Sequence, residues 1–136
     1  MGKELDFLND YCSLFVLRFG DRLSYEIRCP DELRHLELPK LLLQPLVENA
    51  VIHGIEPSET PCKLDISLER HGDTLYLIIV DDGVGFTKEQ LNSPGSIGIK
   101  NVENRIHLWN PDVKLMIYRV GRSTLQILVI PPETQP

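Results

Sequence analysis

Residues 38–55, LPKLLLQPLVENAVIHGI, read as one helix, and the rest of the chain is arranged around it. Pro39 sits where a helix can begin, because the N–H it lacks would have no partner there. Leu43, Leu46, Val47, Ala50 and Val51 form a broad apolar stripe at helical spacing. Gly54 follows as a C-terminal stop. Asn49 and His53 are four apart and share a face with Leu42 and Leu46. An amide and an imidazole among apolar neighbours are either satisfied inside the fold or aimed into a pocket.

Upstream, residues 4–19 have the pattern of an amphipathic helix, with Leu5, Leu8, Cys12, Phe15, Val16 and Phe19 on one side and Gly20-Asp21 ending it. Ser24 to Cys29 reads as a short strand, closed by a turn at Pro30-Asp31. Downstream, the polar loop EPSETP leads to residues 62–70. There Leu64, Ile66 and Leu68 alternate with Lys63, Asp65, Ser67 and Glu69, as in a half-buried strand. His71-Gly72-Asp73 signals a hairpin. Residues 74–81, TLYLIIVD, are apolar on both faces, which suits a central strand. From Asp82 to Ser96 regular patterning fails. Ile99, Val102, Ile106 and Trp109 then give one apolar helix face, ended by Asn110-Pro111-Asp112. Residues 113–119 and 124–130 are alternating strands joined by a second hairpin at Val120–Ser123, and Pro131-Pro132 ends the last. Hairpin-linked strands imply a mostly antiparallel sheet whose one face the helices must cover. The expected fold is an α/β (α+β) two-layer sandwich, with a mixed sheet of about five strands under three helices.

A chain of 136 residues suits one domain, residues 1–136. Hydrophobic content of 42% with 25% charged residues suits a soluble globular domain able to bury a core. The net charge of −6 and the lack of a basic cluster argue against nucleic-acid binding, although backbone amides could still hold a small anion. Cys12, Cys29 and Cys62 show no metal spacing and read as reduced thiols. No signal peptide is evident, and no apolar run approaches ~18 residues, so nothing here is expected to span a membrane.

Two further stretches carry possible chemistry. Alternation puts Leu75, Leu77, Ile79 and Asp81 on one face, and an acid ending an apolar row needs a partner. Gly83-Val84-Gly85 follows, where the backbone can turn sharply or approach another group closely. Asp81 therefore either offers its carboxylate to a ligand or caps its own turn. Gly95-Ser96-Ile97-Gly98 precedes a helix, and free N–H groups at such a start can cradle phosphate. An ordinary helix start with glycines before it remains the alternative.

Taken in order, LQPLVENAVIHG, DDGVGF and GSIGIKNVENRI resemble the N box and the two glycine boxes of the GHKL superfamily of ATP-binding domains. The chain is most similar to the catalytic domain of LytS-type sensor histidine kinases. The approach YCSLFVLRFGDRLSYEI and the ending TLQILVIPP also resemble that group, so the similarity spans essentially the whole chain. The resemblance implies the Bergerat fold, binding of ATP and Mg²⁺, and transfer of the γ-phosphoryl to a histidine. By position, Asn49 would hold Mg²⁺, helped by Glu48 through water, and this pair would form the catalytic side. His53 would line the phosphates. Asp81 would accept the adenine amino hydrogens, with Gly83 and Gly85 letting the backbone pass the base. Gly95, Gly98 and Ile99 would face the phosphates with their backbone, and residues 86–95 would form a mobile ATP lid.

Two departures bear on activity. Ser96 stands where a glycine is usual. Pro45 occupies the place of the general base in the hydrolysing relatives, which favours a kinase over a hydrolase. None of His35, His53, His71 and His107 lies in a phosphoacceptor context. The resemblance therefore implies a fragment of a longer kinase: a cytoplasmic domain of a membrane-anchored, homodimeric sensor, with an upstream dimerisation and phosphoacceptor domain and a response regulator as partners. A degenerate GHKL module that acts through protein contacts, in the manner of an anti-sigma factor, is the competing expectation.

Overall fold

The structure is a computed structural model that describes residues 2–34, 43–55, 58–84, 97–109 and 111–132. Its elements are helix α1 (Gly2–Phe19), strand β1 (Leu23–Arg28), helix α2 (Leu43–Ala50) running into a wider π turn (Val51–Ile55), strands β2 (Cys62–His71) and β3 (Thr74–Asp81), helix α3 (Ile97–Trp109), and strands β4 (Lys114–Val120) and β5 (Ser123–Ile130). Short 3₁₀ turns at Gly20–Arg22 and Asp31–Leu33 flank β1. The strand order is β1-β2-β3-β5-β4, so the doubly apolar β3 is central as expected.

Both hairpins close through two-residue turns led by a glycine in the left-handed region, Gly72 at φ 62° and Gly121 at φ 59°. A positive φ there matches the turn to the twist of the flanking strands. The β2–β3, β3–β5 and β4–β5 pairs are antiparallel. β1 pairs in parallel with β2, Leu23 opposite Cys62 and Ile27 opposite Ile66. The segment between these two strands contains α2, and a parallel pair needs a crossover of that kind.

The helices cover one face. Leu23, Leu64, Ile66, Leu68, Leu75, Leu77, Ile79, Leu128 and Ile130 are buried against Leu8 and Cys12 of α1, Leu46, Val47 and Ala50 of α2, and Ile106 of α3. Trp109 packs half-buried at the margin of this core. Tyr76, Ile78 and Val80 of β3, with Leu125, Ile127 and Val129 of β5, occupy the opposite face and are only partly buried. Cys12, Cys29 and Cys62 are free thiols, and burial pushes Cys12 up to about 11.

One sequence expectation changes. Gly54 does not stop the helix at α2's end; it lies inside the π turn, which carries the helical run on to Ile55. Its φ is not among the positive ones, so it is not a left-handed cap. Its role is close approach, described next.

Candidate functional site

A polar cluster lies where α2 crosses the ends of β3 and β5. Period-two alternation carries Asp81 inward at the end of β3, after Leu75, Leu77 and Ile79, and leaves it 1% exposed. Directly opposite on β5 is Thr124, also 1% exposed, and two residues further on Gln126 faces the same way. Gln126 Nε2 donates to the Leu46 carbonyl at 2.9 Å, which ties α2 to β5 one turn before Asn49. Asn49 is buried in the last turn of α2, and its Nδ2 has no hydrogen-bond partner among the described residues. Buried amides are normally satisfied, so this orphan marks a place where a partner is expected.

The π turn then lays Gly54 on Asp81. A Cβ on Gly54 would collide with the Asp81 carboxylate, and a Cβ on Gly83 would collide with the Gly54 carbonyl. Two bonds fasten this contact: Val84 N–H donates to the Gly54 carbonyl at 2.9 Å, and Gly83 N–H donates to Asp81 Oδ1 at 3.1 Å. π turns often occur at functional sites, where the extra residue displaces backbone from the helical path. Here that displacement lets the backbone rest against the acid.

Burial pushes the Asp81 carboxyl up to about 6; the Gly83 N–H and the Arg119 guanidinium pull it down, and neighbouring Asp82 raises it. Asp82 is exposed and accepts the Lys63 N–H at 2.7 Å. Arg119 of β4 donates to Thr124 Oγ1 at 2.8 Å and to the Gly83 carbonyl at 3.2 Å.

The expected site residues fall as follows. Asp81 and Gly83 meet beneath Gly54 of the π turn, and Asn49 is buried in the last turn of α2, just before that turn. Glu48 is half-buried on the neighbouring side of α2, where its Oε2 accepts from the Tyr11 hydroxyl at 3.3 Å. Burial and the Glu48 charge both raise the Tyr11 phenol pKa. His53 lies in the π turn, and its side chain is outside the described residues. Gly98 and Ile99 open α3, placing their backbone in its first turn. Gly85, Gly95 and the stretch 86–95 lie outside the described residues.

The sequence reading missed Thr124, Gln126 and Arg119, and it gave Gly54 the wrong reason. A signal existed for the first three: a threonine, a glutamine and an arginine on in-facing rows of otherwise apolar strands. Without the β3–β5–β4 register, nothing tied them to Asp81.

No family model matches the chain. It is 34% identical to the sensor histidine kinase YesM of Bacillus subtilis over 78% of this chain and 19% of that protein. It is 29% identical to the sensor protein LytS of Oceanobacillus iheyensis over 95% of this chain and 24% of that protein. The chain thus spans about a fifth to a quarter of the length of the curated relatives it matches. Among solved structures, the catalytic domain of histidine kinase ThkA superposes with a TM-score of 0.68 at 13% identity, over 97% of this chain and 93% of that one. At that identity the likeness is one of fold.

Proposed function

Starting from a chain whose homologues are sensor histidine kinases, the LytS type among them, and whose fold is that of histidine kinase catalytic domains, we propose that it binds ATP with Mg²⁺ and donates the γ-phosphoryl to a histidine on a separate dimerisation domain. The observation that carries this reading is the buried Asp81 carboxylate held beneath Gly54, with the orphaned Asn49 amide one helical turn away.

Asp81 accepts the amino hydrogens of the adenine base. Gly54 puts no side chain against its carboxylate, and Gly83 leaves room for the Gly54 carbonyl, so this end of the site is walled by backbone close to the acid. Asn49 is the cation ligand. Its carboxamide can present oxygen at the orphaned position by a half-turn, and Mg²⁺ is commonly held by one or two protein oxygens together with phosphates and water. A Mg²⁺ held by Asn49 would neutralise charge on the phosphates. Glu48, braced by Tyr11, orients water on the same side. His53, Gly85, Gly95, Gly98 and Ile99 complete the phosphate end, with amides at the start of α3 facing the anion.

Transfer breaks the bond between the γ-phosphorus and the β,γ-bridging oxygen as an imidazole nitrogen of the acceptor bonds to phosphorus, and ADP leaves with the electron pair. This domain contributes positioning and electrostatics. His71 and His107 are exposed surface residues, His71 paired with Glu69 at 2.9 Å, and the acceptor is assigned to another domain because none of the four histidines lies in a phosphoacceptor sequence context. Among the described residues no helix is long and apolar enough to cross a membrane. On this reading the chain is the cytoplasmic catalytic part of a dimeric, membrane-anchored sensor that passes phosphate to a response regulator.

Calorimetry of ATP binding, with and without Mg²⁺, tests the reading. The wild type is expected to bind, Asp81→Asn to abolish binding, and Asn49→Ala to remove the Mg²⁺ dependence. Absence of binding by the wild type at millimolar ATP would overturn it in favour of a protein-contact module.

A further inference from the structure

Arg119 stands on the edge strand β4 opposite Thr124, and Thr124 stands opposite Asp81 on the far side of β5. The guanidinium donates to Thr124 Oγ1 at 2.8 Å and to the Gly83 carbonyl at 3.2 Å, so it grips both neighbours of the Asp81 carboxylate at once. A guanidinium has donors and no acceptor. At this contact Thr124 is therefore the acceptor, and its own hydrogen is directed elsewhere. The positive charge beside the oxygen repels a second N–H donor, and the bond from Arg119 polarises the O–H and strengthens it as a donor. No other hydrogen bond to this hydroxyl runs from the described residues.

Resting on the nucleotide reading above, we infer that Arg119 is a positioning residue that sets base specificity: it fixes Thr124 as a donor beside the Asp81 acceptor. The base end of the site then presents one acceptor and one donor side by side. Adenine offers the complement, amino hydrogens at N6 and an acceptor at N1. Guanine offers the reverse, an acceptor at O6 and a hydrogen on N1. A site built to pair with specific polar atoms rejects an analogue that leaves those groups unpaired. A threonine without Arg119 beside it could turn its hydroxyl either way and would read N1 poorly.

The test is calorimetry of wild type, Arg119→Ala and Thr124→Val with three nucleotides: ATP, its 1-deaza analogue, which lacks the N1 acceptor, and purine riboside triphosphate, which lacks the amino group. The wild type is expected to bind the 1-deaza analogue roughly tenfold more weakly than ATP, the scale of one lost hydrogen bond. In Arg119→Ala that penalty is expected to shrink to about twofold, while the penalty for the missing amino group, which reports on Asp81, changes less, because Asp81 keeps its bond from the Gly83 N–H. In Thr124→Val the N1 penalty disappears. A purely structural role for Arg119 would weaken all three ligands by one factor and leave the N1 penalty intact, and that result overturns the inference. Equal binding of ATP and the 1-deaza analogue by the wild type overturns it as well, with the nucleotide reading untouched. A wild type that binds no ATP removes the nucleotide reading and this inference with it. If thermal denaturation shows Arg119→Ala to be unfolded, Arg119→Lys replaces it: one donor to Thr124 keeps the N1 penalty, and loss of that penalty with the lysine in place counts against the inference.

Discussion

Asp81 sits where its own charge is disfavoured. In the folded chain it protonates at about 6, and burial is the main cause. Unfolded, an aspartate protonates at about 3.9. Between those values the folded state holds the extra proton, so this group's contribution to stability falls as pH rises through the window and is level above it. Asp81→Asn removes the slope while keeping an oxygen for the Gly83 N–H. Denaturation curves are expected to show the variant about 1–3 kcal/mol more stable than wild type near pH 8 and no different near pH 4. The same variant is the one expected to lose ATP, so stability and binding should move in opposite directions. Gly54 raises a separate question, because space and backbone conformation can both demand glycine. Gly54→Ala would drive a methyl into the Asp81 carboxylate and is expected to cost about 1–3 kcal/mol and to weaken nucleotide binding. Gly20→Ala is the control. Its φ of 61° makes alanine strained, but a Cβ there meets nothing within 4 Å, so it should cost about 1 kcal/mol and leave binding unchanged.

At the scale of the elements, a buried side chain adds a hydrogen bond to the apolar packing between α2 and β5. Gln126 donates to the Leu46 carbonyl, yet its Oε1 is buried with no partner. Gln126→Leu removes the bond and the unpaired oxygen together at similar volume, and its stability change is expected to stay within about 1 kcal/mol. Gln126→Ala leaves a cavity as well and is expected to cost about 2–3 kcal/mol. If leucine costs as much as alanine in urea titrations, the amide is worth more than this arithmetic allows. The elements differ in how far sequence alone revealed them. β3 was legible to its last residue, because period-two burial runs unbroken from Leu75 to Asp81 and the acid ends it. α2 was legible as a helix, but its π turn was not. Gly54 next to His53 looks locally like a terminator, and only the far-off Asp81 explains why a glycine is needed there. The parallel β1–β2 pair was not legible either, since hairpin signals report only on neighbours in sequence.

For the whole molecule, the two-layer arrangement followed from patterning, whereas the site depended on register. Asn49 and Asp81 could be singled out because each is a polar residue at an apolar position in a distinctive local motif. Arg119, Thr124 and Gln126 acquire meaning only once β5 lies between β3 and β4. That same strand order governs how the chain must assemble. The β2–β3 and β4–β5 pairs are each local hairpins, which form quickly on their own. Asp81 belongs to the first hairpin and Thr124 to the second, and they meet only when β3 joins β5 across residues 82–122. Closing so long a loop precedes the contacts that reward it, so this is a late and slow event in folding. A ligand that grips Asp81 and Thr124 together finds no site in the half-folded chain. It therefore acts on the lifetime of the native state, slowing unfolding while leaving the rate of folding nearly untouched.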